Sequence, residues 1–142
     1  MQAYIDIYKN KEVTFKYRSR DYVYSLSHGL FSSAEIDSGS RFLLKVFSNY
    51  IDECIKNKKP LPYKILDAGS GIGVLGICTA GALYDVLTDI DGCEPGSTML
   101  RMQDRDELAH IFSYYNALKN NIEITTNKII LIPSAFLMTF AC

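Results

Sequence analysis

Residues 12–26 alternate apolar and polar side chains, with Val13, Phe15 and Tyr17 on one side of a polar break and Tyr22, Tyr24 and Leu26 on the other. The break is Arg18-Ser19-Arg20-Asp21. A period of two on both sides of a turn signal predicts a β-hairpin. After Ser38 the period changes. Phe42, Leu43, Val46, Phe47, Tyr50, Ile51, Cys54 and Ile55 recur at helical spacing, which predicts a helix over Ser38–Ile55 with these residues on its buried face. Asp37 or Ser38 is placed to cap its start. Asn57-Lys58-Lys59-Pro60-Leu61-Pro62 ends it in a loop.

From there short apolar runs alternate with helical ones. Lys64–Ala68 reads as a buried strand and Gly73–Tyr84 as a helix. Residues 88–97 hold Asp89, Asp91, Gly92, Pro95 and Gly96, the composition of a loop. Thr98–Gln103 is a second strand. Asp104-Arg105-Asp106-Glu107 opens the next helix, with Asp104 and Glu107 spaced much like a capping box. Leu108, Ile111, Phe112, Tyr115 and Leu118 form its buried face, Asn120-Asn121 stops it, and Lys128–Ile132 is a third strand broken by Pro133. The expected fold is α/β: a hairpin and a helix, then a βαβαβ run that winds a parallel sheet of about three strands through right-handed crossovers. Residues 1–36 form the hairpin part and residues 37–142 the α/β part. Ligands of such sheets bind beyond the carboxyl ends of the strands.

Composition narrows this picture. A chain of 142 residues with 48% apolar content is about one domain with a real core. The net charge of −1 makes the surface as a whole no nucleic-acid trap, and the basic runs around Lys9–Arg20 and Lys56–Lys59 read as solvated faces. Cys54, Cys78, Cys93 and Cys142 lack Cys-x-x-Cys spacing, and His28 and His110 stand far apart, so no metal set is expected. The N-terminus shows no export signal, and no apolar run reaches the roughly 18 residues of a membrane span. A reducing cytoplasm is the expected compartment.

The candidate chemistry lies at Ile65–Ile77, where an apolar strand ends at Asp67 and glycines follow at positions 69, 71 and 73 before a helix begins. Such a turn brings backbone close to a ligand and aims unpaired helix N–H groups at it. Two frames compete. Gly71-Ile72-Gly73-Val74-Leu75-Gly76 fits the dinucleotide pattern G-x-G-x-x-G. The frame Asp67-x-Gly69-x-Gly71-x-Gly73 puts an acid at the strand end, which repels a pyrophosphate and suits an ammonium. S-adenosylmethionine carries an ammonium and a sulfonium and no phosphate, so charge favours it. Its ribose needs a second acid at the end of the second strand. Asp104 fits that place. A rival strand, Val86-Leu87-Thr88, would offer Asp89 or Asp91 instead, at the shorter spacing of a compact unit.

At these residues the chain resembles the class I S-adenosylmethionine-dependent methyltransferases, specifically those with a small-methyltransferase domain, whose members commonly methylate base amines of ribosomal or transfer RNA and in other cases protein glutamine or small molecules. The resemblance rests on motif I, Asp67-Ala68-Gly69-Ser70-Gly71-Ile72-Gly73. Before it stands Gly29-Leu30-Phe31-Ser32 with Ile36–Leu44; after it stand Asp104–Ala109, Asn116-Ala117 and Asn120. It covers roughly residues 12–140. It implies that Asp67, Gly69, Ser70, Gly71 and Gly73 line the methionine end of the cofactor and that Asp104 binds ribose. It also implies that Phe31 is an apolar wall and that Ser134 or Ala135 lies near adenine.

The family's catalytic Asn/Asp-Pro-Pro-aromatic motif does not occur, since Pro60, Pro62, Pro95 and Pro133 are all isolated. The catalytic residues are therefore not identified, and the resemblance implies an N-terminal, cofactor-binding portion of a methyltransferase: a truncated chain, a shortened gene product or half of a split assembly. The expected partners are RNA and, over the open sheet edge, a second copy or another chain. A non-catalytic binding or oligomerisation module and a dinucleotide-binding oxidoreductase fragment are the alternatives.

Overall fold

The computed structural model describes residues 1–30, 35–91 and 98–122. Phe31, the strand expected at Lys128–Ile132 and Ser134 lie outside the described residues, as do residues 92–97 of the expected loop. The described elements are α1 (Gln2–Tyr8), β1 (Lys9–Tyr17), β2 (Arg20–Ser27), α2 (Ser38–Lys56), β3 (Lys64–Ala68), α3 (Val74–Asp91), β4 (Met99–Gln103) and α4 (Glu107–Lys119). The short helix α1 has no counterpart in the period reading; it buries Ile5.

β1 and β2 pair antiparallel, with Tyr17 opposite Arg20, so the connection is the two residues Arg18-Ser19. Arg18 takes φ 52°, as tight hairpin turns require. The inward face is Phe15, Tyr17, Tyr22, Tyr24 and Leu26, all buried, with Val13 half-buried at the margin. This aromatic face lies on the helices, and its phenols find backbone partners there. Tyr17 donates to the Leu44 carbonyl at 3.0 Å, Tyr22 to that of Cys78 at 3.4 Å and Tyr24 to that of Val74 at 3.4 Å. A buried phenol needs such a partner, and burial pushes Tyr17 up to about 12. The arginines at the hairpin tip reach both neighbouring helices, Arg18 to Ser48 and Asp52 of α2 and Arg20 to Asp85 of α3.

Asp37 caps α2, accepting from the Ser40 N–H at 2.8 Å and the Ser40 hydroxyl at 2.7 Å. The buried stripe of this helix is narrower than its apolar pattern. Leu44, Ile51 and Cys54 are buried and Phe47 is half-buried, whereas Phe42, Leu43, Val46, Tyr50 and Ile55 are exposed. Apolar residues occupy more than one side of this helix, so periodicity alone does not select the side that meets α3 and the hairpin.

β3 and β4 pair in parallel, Lys64 with Met99 through Ala68 with Gln103. Between them α3 runs on to Asp91, past the expected end at Tyr84, because neither glycine nor proline occurs between Tyr84 and Gly92. Val86-Leu87-Thr88 is therefore helical, and Asp89 lies on an exposed stretch of α3. The cap of α4 is Asp106, which accepts from the Leu108 N–H at 2.9 Å, rather than Asp104. At its other end Asn121 turns left-handed (φ 55°), and the N–H groups of Asn121 and Ile122 reach back to Leu118 and Ala117. That is a Schellman stop, with Ile122 buried as its apolar contact. Ile77, Cys78 and Leu83 of α3, Leu100 of β4 and Phe112 of α4 complete the core with the hairpin tyrosines. No helix among the described residues is long and apolar enough to cross a membrane.

Candidate functional site

β3 enters a turn in which Gly69, Gly71 and Gly73 all take positive φ, at 76°, 53° and 89°. Side chains with a Cβ avoid such angles, which is why glycines stand at alternate positions. The turn is anchored at several points. The N–H groups of Gly69 and Ser70 both donate to the Gln103 carbonyl at the end of β4, at 2.7 and 3.0 Å. The Gly73 N–H closes on the Ser70 carbonyl at 2.8 Å. Asp104, directly after β4, accepts from the Gly71 N–H at 2.9 Å through one carboxylate oxygen. Its other oxygen accepts from the Asp106 N–H at 3.0 Å. The parallel pairing of β3 with β4 thus brings residues 33 positions apart onto one turn.

Over this turn opens a hollow of about 330 Å³, in the range of small-molecule sites. Its floor is Gly69, Ser70, Gly71 and Ile72. Leu30, Ile36, Val74, Leu75 and Ala109 supply apolar wall, and Glu35, Asp37, Asp104 and Asp106 supply carboxylates against the single guanidinium of Arg105. Burial pushes Asp37 up, but the Ser40 hydroxyl and N–H outweigh it and hold the carboxyl below its usual value, so Asp37 is ionised at neutral pH. A Cβ placed on Gly69 or Gly71 would meet nothing within 4 Å, so both glycines face open space. Ser70 is 8% exposed, and its hydroxyl has no partner among the described residues. A buried hydroxyl on the floor of a hollow, without a protein partner, is a ready contact for a bound molecule.

The sequence-derived site residues divide into two groups. Gly69, Ser70, Gly71 and Asp104 come together around the hollow. Asp67 and Gly73 lie beneath it, outside its lining. Strand alternation turns Asp67 to the buried side of the sheet, where it is 7% exposed and accepts from the Gly76 N–H of α3 at 2.8 Å. Burial raises its pKa against that hydrogen bond, and the nearby charge of Asp104 adds to the rise. Asp67 therefore holds the first turn of α3. The acidity anticipated at the strand end is supplied by Asp104, Asp106, Asp37 and Glu35. At Gly73 an added Cβ would press on Ile77, Met102 and Ser113, so this glycine serves close packing under the turn. Phe31 and Ser134 lie outside the described residues.

Two contributors were given no role at the site from sequence. Asp106 entered only as part of a helix opening, and Asn116 only within the segments that carry the resemblance. Asn116 is 0% exposed, and its side-chain amide donates to the Ile72 carbonyl inside the turn at 2.9 Å. A polar residue amid the apolar spacing of α4 was the available signal.

A second hollow, of about 500 Å³, shares no residue with the glycine turn. Although it is larger, Arg20, Lys119 and Asn120 in its wall are already engaged by Asp85, Glu12 and Val23, so the smaller hollow is the better candidate.

Comparison with known proteins shows the family. Residues 22–131 match the methyltransferase small domain. The uncharacterized protein YbxB of Bacillus subtilis (strain 168) is 29% identical over 114 residues, which cover 80% of this chain and 46% of that relative. The chain thus spans about half the length of the curated relative it matches. No solved structure matches it. The family match runs from β2 of the hairpin through the glycine turn and past α4, and the chain belongs to the methyltransferase small domain family.

Proposed function

We propose that this chain binds S-adenosylmethionine over the glycine turn and is the cofactor-binding part of a methyltransferase. The observation that carries this reading is the charge of the hollow: four carboxylates and one guanidinium around a glycine floor. A dinucleotide would bring its pyrophosphate against those carboxylates, whereas the ammonium and sulfonium of S-adenosylmethionine are drawn to them. Gly69 and Gly71 leave room for close approach, and the Ser70 hydroxyl is free to accept or donate. Asp104 has acceptor capacity left after its two backbone N–H bonds, because a carboxylate offers about four lone-pair sites. It can hold the turn and receive ribose hydroxyls together.

When bound, the cofactor supplies an activated methyl group. The residues of this chain bind and orient it, and positioning is the main lever in such a transfer. The Asn/Asp-Pro-Pro-aromatic motif that would hold a target amine is absent from the sequence, so methyl transfer belongs to a protein that also supplies that element. The acceptor implied by the resemblance is a base amine of RNA. The test is calorimetric titration of the chain with S-adenosylhomocysteine and with a reduced nicotinamide dinucleotide. Binding of the first and not the second is expected, with Asp104→Asn weakening it by about 1.5–3 kcal/mol, the range for hydrogen bonds to a charged group. Preference for the dinucleotide, or no heat with either ligand from folded protein, rejects the reading.

A second reading, a non-catalytic module that docks on another chain, is favoured by one observation. Phe42, Leu43, Val46 and Tyr50 of α2 and Leu66 and Met99 of the sheet are exposed apolar side chains. Parallel sheets are normally covered on both faces. Light scattering separates the cases: a stable oligomer supports docking, and a clean monomer that binds S-adenosylhomocysteine opposes it.

A further inference from the structure

α4 runs beside the edge of β2 that faces away from β1, and two of its asparagines act there as a substitute strand. Asn116 accepts from the Ser25 N–H at 2.8 Å and donates to the Ser25 carbonyl at 3.2 Å. One helical turn later Asn120 accepts from the Val23 N–H at 2.8 Å and donates to the Val23 carbonyl at 2.9 Å. The spacing explains the match. Four helical residues rise about 6 Å, and two strand residues rise about 6.6 Å, so amides at i and i+4 meet alternate peptides of an extended chain.

The two asparagines differ in one respect. The second amide hydrogen of Asn116 goes to the carbonyl of Ile72, at 2.9 Å, whereas that of Asn120 goes to the backbone of its own helix, at Asn116, at 2.7 Å. Ile72 stands between Gly71 and Gly73, both at positive φ. A peptide flanked by glycines has the least intrinsic resistance to rotation, so its orientation must be set from outside. On the ligand side Asp104 fixes the Gly71 N–H. On the buried side Asn116 is the group that fixes the Ile72 carbonyl. Both amide hydrogens of Asn116 and one lone pair of its oxygen are engaged in this way.

We infer that Asn116 is a positioning residue for the cofactor turn, tying its central peptide to the edge of the hairpin, and that Asn120 shares the edge clamp without that role. The inference rests on the proposed reading of the hollow as an S-adenosylmethionine site. The experiment compares the full chain with Asn116→Ala, Asn116→Asp and Asn120→Ala. Asn116→Asp has the same shape and keeps the acceptor but loses both donors. It remains informative where the alanine variant fails to fold. Two readouts are taken: amide hydrogen exchange over residues 69–76 without ligand, and S-adenosylhomocysteine affinity.

Both Asn116 variants are expected to speed exchange in the turn and weaken binding, each by about tenfold, the scale of one lost hydrogen bond. Asn120→Ala is expected to loosen Val23 while leaving turn exchange and affinity at the wild-type values. Wild-type behaviour of the turn in both Asn116 variants, or an equal effect from Asn120→Ala, overturns the inference. Failure of the wild-type chain to bind rejects the functional reading instead, and the exchange rates then decide the role of Asn116 by themselves.

Discussion

Replacing Gly71 or Gly73 by alanine separates the two tasks of the glycine turn. Both residues have positive φ, but their surroundings differ. At Gly71, φ 53° lies inside the left-handed well that other residues can enter, and the new methyl group would project into open space. The strain is about 1–2 kcal/mol, offset by about 0.4–1 kcal/mol from the stiffer unfolded chain. The net loss of stability is about 1 kcal/mol. At Gly73, φ 89° lies outside that well, and the methyl group would sit 2.8 Å from Ile77 Cδ1, 3.1 Å from Met102 Sδ and 3.2 Å from Ser113 Cβ. Overpacking of this kind adds about 1–3 kcal/mol, for a total of about 2–4 kcal/mol. Urea unfolding at fixed pH reads both values. S-adenosylhomocysteine titration, at temperatures where each variant is folded, reads the site. Gly71→Ala should lose affinity out of proportion to its small stability change, because its methyl group occupies the floor of the hollow. Gly73→Ala should lose mainly stability. Equal destabilisation by the two, or an affinity loss confined to Gly73→Ala, would refute the division between floor and packing.

Two further outcomes follow from packing and charge. In α3 a Cβ on Gly81 would clash with the Tyr22 hydroxyl oxygen, so Gly81→Ala should destabilise the protein by about 1–3 kcal/mol. In a Tyr22→Phe background most of that loss should vanish, since alanine is the better helix former by about 1 kcal/mol; a loss of the same size in both backgrounds counts against the contact. Glu12 of β1 is held from its ordinary 4.5 down to about 2, first by its hydrogen bond from Lys119 of α4 and then by that from Lys9. Its contribution is complete above pH 4.5 and is lost as pH falls towards about 2. Because the pair is solvent-screened the amount is under about 1 kcal/mol. Glu12→Gln should therefore unfold earlier in urea at neutral pH, and the gap from wild type should close on acidification; a gap that is constant with pH is inconsistent with the ion pair.

Local rules carried much of this protein. Period two and a polar break specify β1 and β2, because a half-buried strand must alternate. Glycines between an apolar run and a helix specify the turn, because few other residues accept its φ values. Family membership rests on residues 22–131, a span that includes the glycine turn and most of β2 but not β1. Contacts between distant residues were out of reach of those rules. Which apolar stripe of α2 is buried depends on where α3 and the hairpin lie, and the sequence of α2 is apolar on more than one side. Asp67 and Asp104 look alike as acids at strand ends. Strand alternation buries Asp67 under Gly76, while pairing of β3 with β4 puts Asp104 on the Gly71 N–H. Asn116 shows the limit most clearly. Its worth comes from Ser25 and Ile72, residues 91 and 44 positions away, and a hydrogen bond made across such distances leaves no periodic trace in the chain.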